Sequence, residues 1–157
     1  MSPGENLAVR RQMLEVPVSL TNIIVDLTTA IFALGLHQEP KNDVEIPFFL
    51  LEIRRKLFWF SYLLDKNFAT FFGRPPMING KYCSCKMPLD LEESQLALGG
   101  EELEQVLGQL DADGWNASGP VVRSSWLRGT IISTKIREEI LELSLGPDEA
   151  DLQNKAR

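Results

Sequence analysis

Few residues of this sequence could carry covalent or metal chemistry. The 157-residue chain holds one histidine, His37, and two cysteines, Cys83 and Cys85. A nucleophile needs a base within hydrogen-bond reach, and no obvious nucleophile accompanies His37. A closed structural zinc site takes about four ligands, more than these three side chains supply. Thiols one residue apart also reach disulfide geometry poorly. The sequence therefore predicts ordinary thiols in a reducing compartment, no catalytic residue, no metal site and no enzyme.

Phosphate and nucleic-acid binding are also weakly supported. Gly99 and Gly100 are not followed by a Lys-Ser/Thr pair, and the net charge of −6 opposes binding to a phosphate backbone. The cluster Arg54-Arg55-Lys56 is basic, but successive helical residues point about 100° apart. Glu52 precedes Arg55 and Lys56 by ion-pair spacings. Support of a helix is the favoured interpretation; a nuclear-localisation or nucleic-acid patch is the alternative.

Two further segments each allow more than one reading. Residues 16–36 are apolar enough to suggest a membrane span, but Pro17, Asn22 and Asp26 interrupt them, and we expect no membrane partner. Residues 90–114 contain many carboxylates, several leucines and no basic residue. This pattern favours a solvated helix, with an activation-type segment as the alternative.

Hydrophobic periodicity predicts an all-α protein in which these residues lie on helices. The expected helices span about 19–34, 46–72 and 121–145, with a short one at about 103–110. The second is apolar nearly all round its middle, which indicates a central helix. We expect each long helix to bury its apolar stripe. The stripes are Ile23, Leu27, Ile31 and Leu34; Phe49, Ile53, Leu57, Phe60, Leu64, Phe68 and Phe71; and Val122, Trp126, Ile132, Ile136, Ile140 and Leu143.

Glycine, proline and capping residues mark where these helices start and stop. Gly35 is expected to end the first helix, and Asn42 with Glu45 has the outline of a capping box for the second. Pro47 would fall in its first turn. Gly73 followed by Arg74-Pro75-Pro76 should end the central helix. We expect a loosely ordered segment at 1–17, a domain at 18–146 and a polar tail at 147–157.

Three segments in this order resemble the fungal-specific transcription factor domain, also called the middle homology region or xylanolytic-activator-type regulatory domain. They are AIFALGLHQEP, EIRRKLFWFSYLLDKNFATFFGRPPMI and CKMPLD, and the resemblance is strongest over residues 30–90. The residues that match the family pattern are Gly35, Leu36, His37, Glu52, Arg54, Arg55, Phe58, Trp59, Leu64, Asp65, Gly73, Arg74, Pro75 and Pro76. Lys56 stands where a third arginine is common. The matching residues are expected to be structural, and we expect Asp65 to pair with Arg74 across the helix end.

The resemblance implies a nuclear role in regulating transcription, not catalysis, in which the domain is expected to sense a small molecule or to restrain an activation segment. Family members place a six-cysteine binuclear zinc cluster at the N-terminus to bind DNA, and zinc and DNA are expected to belong to that cluster, which these residues lack. The chain is thus expected to be a partial regulatory domain and no cofactor is expected in it. Expected partners are other transcription proteins, a second copy or a small-molecule effector. The alternative is a helical scaffold or dimerisation module without a ligand.

Overall fold

Four α-helices carry the fold of this protein in a computed structural model that describes residues 18–41 and 46–146. They are α1 (Val18–Ala33), α2 (Phe48–Phe72), α3 (Gly100–Leu107) and α4 (Arg123–Leu145). Short 3₁₀ turns lie at Gly80–Tyr82 and Glu93–Ala97, and no strand occurs in the described ranges. The predicted all-α class is confirmed.

The long central helix is α2, against which both α1 and α4 pack. Residues 73–99, here called the connector, lead from its end to α3. The buried core draws on α1, the loop after it, α2, the connector and α4; its members are Ile31, Leu36, Phe58, Trp59, Tyr62, Ile78, Cys85 and Ile131. Aromatic side chains from α2 therefore form the centre of the molecule, as its nearly all-apolar middle predicts.

The predicted helix ends are close to the observed ones. Gly35 and Gly73 adopt the left-handed conformation, with φ of 63° and 59°. After α2, the N–H groups of Gly73 and Arg74 both reach the carbonyl of Ala69. Pro47 precedes the first residue of α2, so it lies at the N-cap and not in the first turn. The proposed capping box at residues 42–45 lies outside the described residues.

The side of each long helix that is buried differs from the prediction. In α1 the prediction is confirmed for Ile31, which is buried, but Ile24 and Thr28 share its buried side, whereas Ile23 and, just after the helix, Leu34 are exposed. In α2 and α4 the predicted stripes face mainly outward. Exposed members are Phe49, Ile53, Leu57, Phe60 and Phe71 of α2, and Trp126, Ile132, Ile136, Ile140 and Leu143 of α4. Leu27, Leu64, Phe68 and Val122 are half-buried.

Charged side chains take the inner positions that the apolar stripes were expected to fill. Arg55 and Lys66 of α2 and Arg128 and Glu138 of α4 are all buried. A buried charge is tolerated only when it is paired and hydrogen-bonded. Arg55, Lys66 and Glu138 each have a charged partner, and Arg128 donates to two backbone carbonyls, so the polar faces can turn inward.

Candidate functional site

The first buried polar centre joins the loop after α1, α2 and the connector. Arg55 lies between two carboxylates: it donates to Glu39 and, at 2.6 Å, to Glu52. The free oxygen of Glu52 accepts the N–H of Leu89 at 2.8 Å, and Glu39 accepts that of Lys86 at 3.0 Å. Burial alone would raise the pKa of Glu39, but the hydrogen bonds from Arg55 and Lys86 outweigh it and lower that pKa.

A second centre fixes the connector just after the end of α2. Asp65 accepts the N–H groups of Met77 and Ile78, each at 2.9 Å. Lys66 lies 2.9 Å from the same carboxylate and also donates to the Ile78 carbonyl. Asp65 therefore closes the Gly-Arg-Pro-Pro turn by binding backbone amides.

Glu138 extends this second centre to α4. Its carboxylate accepts the Tyr62 hydroxyl at 2.6 Å and the Gly80 N–H at 3.1 Å, and lies 3.2 Å from Lys66 Nζ. Burial opposes the charged form, yet these donors outweigh it and lower the pKa of Glu138. For Tyr62, burial and the hydrogen bond to Glu138 raise the pKa. One carboxylate thus ties α4 to α2 and to the connector.

Arg128, in the N-terminal half of α4, forms a third buried polar centre. It donates to the carbonyls of Pro88 and Asp113, and its guanidinium lies 4.4 Å from the centre of the Trp115 ring. Burial lowers the pKa of Arg128. Beside it, Asp90 accepts the Ser125 hydroxyl at 2.6 Å. This centre joins the start of α4 to the connector and to the loop after α3.

His37 holds the connector in place mainly through its backbone carbonyl. The carbonyl of His37 accepts the N–H groups of Ser84 and Cys85, at 3.0 and 3.2 Å. Its ring packs on Phe32 with 4.8 Å between ring centres, and in the described part of the chain its buried Nδ1 has no hydrogen-bond partner. The residue accordingly packs and anchors the connector.

The expected pair of Asp65 and Arg74 does not form. Asp65 is buried and engaged by two amides and Lys66, whereas Arg74 is exposed. Among residues 18–41 and 46–146, no ion pair links the two side chains. Arg74 instead borders, with Pro75, Ile24 and other residues, an apolar cavity of about 80 Å³. The N–H groups of Met77 and Ile78 hydrogen-bond the buried Asp65 carboxylate, so this carboxylate does not pair with Arg74.

Other residues of the family signature lie beside these buried polar centres, which together are here called the framework. Phe58 and Trp59 are core residues, and Trp59 Nε1 donates to the Lys86 carbonyl at 2.8 Å. Arg54 reaches the Gly35 carbonyl at 3.4 Å, so it bridges α2 to the end of α1. The residue pattern did not reveal Lys66, Arg128 or Glu138, because their partners lie on other elements and leave no spacing signal.

The basic cluster does not form a single patch. Arg55 points inward to its two carboxylates, while Arg54 and Lys56 are half-buried at the helix edges. The predicted support of the helix is confirmed for the pair Glu52–Arg55. Lys56 forms no ion pair with another described residue.

The cysteines have the character of packing residues. Both are free, and burial raises the pKa of the Cys85 thiol to about 12. A thiol is the weak nucleophile and metal ligand, and the thiolate the strong one. No group of three His, Cys, Asp or Glu side chains in the described residues is placed to hold a metal ion. These two thiols therefore do not fit the zinc cluster of the regulators that this sequence resembles.

Two surface features remain open beside this framework. A cleft of about 610 Å³ lies between α2, the connector, the end of α3 with the loop after it, and α4; its lining includes Arg55, Trp59, Lys86, Leu110 and Lys135. The second feature, here called the outer face of α2, consists of Phe49, Leu50, Ile53, Leu57 and Phe60, which are 42–56% exposed. No helix in the described ranges is long and apolar enough to cross a membrane.

Comparison with known proteins identifies the family. Residues 25–111 match the fungal specific transcription factor domain. Pyrimidine pathway regulatory protein 1 of Saccharomyces cerevisiae is 38% identical over 71 residues, which are 45% of this chain. An uncharacterized transcriptional regulatory protein of Schizosaccharomyces pombe is 38% identical over 55 residues, 35% of the chain, and transcription factor lepE of Aspergillus flavus is 34% identical over 68 residues, 43% of the chain.

These similarities concern a limited part of each relative. The matched region spans about 8% of the length of each of the three proteins. No solved structure matches the sequence significantly. The family match itself covers more than half of the chain and includes α2 and the first two buried centres up to the connector. This chain therefore belongs to the fungal specific transcription factor domain family.

Proposed function

We propose that this chain works as the regulatory domain of a fungal transcription factor and sets the output of that regulator through contacts with other protein segments. The match of residues 25–111 to the family carries the proposal. The buried polar residues support it, because Glu52, Glu138 and Arg128 bind backbone groups that hold the connector in place. Such residues maintain a shape that partners can recognise, and we assign no catalysis to them.

DNA and zinc binding belong, in this proposal, to a separate six-cysteine cluster of a full regulator. The present residues carry a net charge of −6, and Arg55 is buried between carboxylates. Binding DNA requires cations that displace phosphate counterions. The isolated chain should therefore not retain an oligonucleotide in a gel-shift assay at about 0.15 M salt. Sequence-specific retention would overturn this part.

A nuclear location follows from the proposed role and not from the basic cluster. The decisive experiment is a reporter assay in yeast, with the chain inserted between an unrelated DNA-binding domain and an activation segment. Reporter output should differ from that of a fusion with an unstructured spacer of equal length. The Asp65→Asn variant, which weakens the framework, should lose the difference, whereas Glu142→Gln at an exposed position should keep it. Unchanged output from a folded fusion contradicts the proposed function.

A small-molecule effector is the second candidate, supported by the cleft beside Trp59 and Lys135. A ligand bound only by the folded state raises stability by RT ln(1 + [L]/Kd), so a thermal-shift screen would detect it. A reproducible shift that Lys135→Ala removes would favour sensing. Self-association without any hit would favour a scaffold, for which the exposed Trp126, Ile136 and Ile140 of α4 provide an apolar stripe.

A further inference from the structure

We propose that the outer face of α2 binds an acidic, amphipathic helix of a partner protein segment. The proposal rests on the proposed function and specifies the class of partner that the domain recognises. Three features of α2 support it: the spacing of the apolar side chains on this face, the positive charges of α2 at its edges and the burial of both α2 carboxylates.

The apolar residues of this face have the spacing of a helix-binding seam. Leu50, Ile53, Leu57 and Phe60 follow one another at steps of three and four residues. They are 42%, 49%, 45% and 56% exposed, respectively. Steps of three and four align side chains along one side of a helix, where a second helix can pack. At about 1.5 Å per residue, the seam is about 15 Å long, or close to three turns.

Charge decides which helix fits. The two carboxylates of α2, Glu52 and Asp65, are buried and bind Arg55, Lys66 and connector amides. The charges that α2 itself leaves at the edges of the outer face are those of Arg54 and Lys56, both positive, in a chain whose net charge is −6. Complementary charge steers partners and rejects like-charged ones. The face therefore selects apolar residues flanked by Glu or Asp.

A second copy of the chain fits this face less well. In a two-fold symmetric contact the same patch meets itself. Arg54 and Lys56 of each copy would then face the same cations of the other, with no exposed carboxylate of α2 to offset them. Self-association through this face is accordingly an outcome that counts against the proposal.

The test measures peptide binding to the full 157-residue chain by fluorescence anisotropy. The probe is a labelled synthetic peptide with the sequence of residues 98–110, LGGEELEQVLGQL, which combines glutamates with apolar residues at helical spacing. Its matched control carries Glu101→Gln, Glu102→Gln and Glu104→Gln. We expect the control to bind about tenfold more weakly, since each rim ion pair contributes up to about fivefold.

Variants of the chain locate the site. Leu57→Ser and Lys56→Glu should each weaken binding of the probe about threefold to tenfold, and added salt should weaken it further. Arg123→Glu reverses a charge whose side chain is 91% exposed on α4 and should leave binding unchanged. Because Leu57 and Lys56 are only partly buried, all three variants should keep the wild-type melting temperature.

Three results would overturn the proposal: no binding of the acidic probe, equal binding of the glutamine control, or dimerisation that Leu57→Ser abolishes in sedimentation experiments. The reporter assay separates this failure from failure of the proposed function. Altered reporter output without probe binding would leave the regulatory role standing and remove the acidic partner. Probe binding without any reporter effect would support the acidic partner and remove the regulatory role.

Discussion

Glu138 illustrates how one side chain can hold several elements together. Its carboxylate meets Tyr62, the Gly80 amide and Lys66, so it contacts α2 and the connector while belonging to α4. Removing one partner of a buried pair leaves the other charge uncompensated, at a cost of about 3–5 kcal/mol. Asp65 remains beside Lys66 and reduces that cost.

The Glu138→Gln variant should therefore lower the free energy of unfolding by about 2–3 kcal/mol, measured by urea denaturation. Glutamine keeps the size of the side chain but loses the charge that faces Lys66. The control is Glu142→Gln, whose partner Lys81 is 71% exposed; its unfolding midpoint should not move. Equal unfolding midpoints for wild type and Glu138→Gln would show that the Glu138 carboxylate does not stabilise the packing of α4 on α2 and the connector.

Asp65 and Arg74 make a sharper test, because proximity in sequence suggests a pair that the fold does not form. Asp65→Asn should destabilise the protein by about 2–4 kcal/mol through weaker bonds to Met77, Ile78 and Lys66. Arg74→Ala should have a small effect. The double variant should equal the sum of the two within about 0.5 kcal/mol. A coupling above about 1 kcal/mol would restore the direct pair.

At the scale of helices, the end of α2 depends on the left-handed conformation of Gly73. A residue with a Cβ atom loses about 1–2 kcal/mol there. Gly73→Ala should therefore destabilise the protein by about 1 kcal/mol. Gly129→Ala is the contrast, because this glycine lies inside α4 and an added Cβ would meet no atom within 4 Å. It should stabilise by about 0.5–1 kcal/mol. Thermal unfolding of both variants checks the opposite signs.

The helices themselves could be predicted from the sequence, but their buried sides could not. Gly35, Gly73 and the proline pair act through local sterics, so they are visible in the sequence. Which side of α2 faces inward depends on distant partners such as Glu39, Lys86 and Leu89. Hydrophobic periodicity predicts burial for apolar residues, so it places Phe60 in the core and gives no sign that Arg55 faces inward.

The same limit applies to the candidate site. The signature around Arg55 and Asp65 is recognisable as a family pattern, whereas Glu138 follows Tyr62 by 76 residues and has no motif of its own. A contact of that range is fixed by the packing of α4 on α2. The exposed apolar faces were foreseeable only as a general liability, since neither composition nor spacing says which stripe remains uncovered.

For the molecule as a whole, the buried carboxylates make stability depend on pH. The pKa values of Glu39 and Glu138 are lowered from an ordinary value of 4.5 in the folded protein. A carboxylate whose folded pKa lies below its unfolded pKa contributes stability that is complete above the unfolded value. That contribution is lost as the pH falls through the folded value. The protein should thus lose stability progressively as the pH falls below about 4.5.

Reversible urea denaturation across this pH range, at low protein concentration, measures the effect. Low concentration matters because the net charge approaches zero near the sequence pI of about 4.9, where association increases. The variants Glu39→Gln and Glu138→Gln should each be less stable at neutral pH and show a flatter profile in acid, since a neutral amide cannot take up the proton. A wild-type profile that stays level down to pH values well below 4.5 would show that folding does not lower the pKa of either carboxylate. Variants that keep the full wild-type slope would place the titrating groups outside the two buried centres.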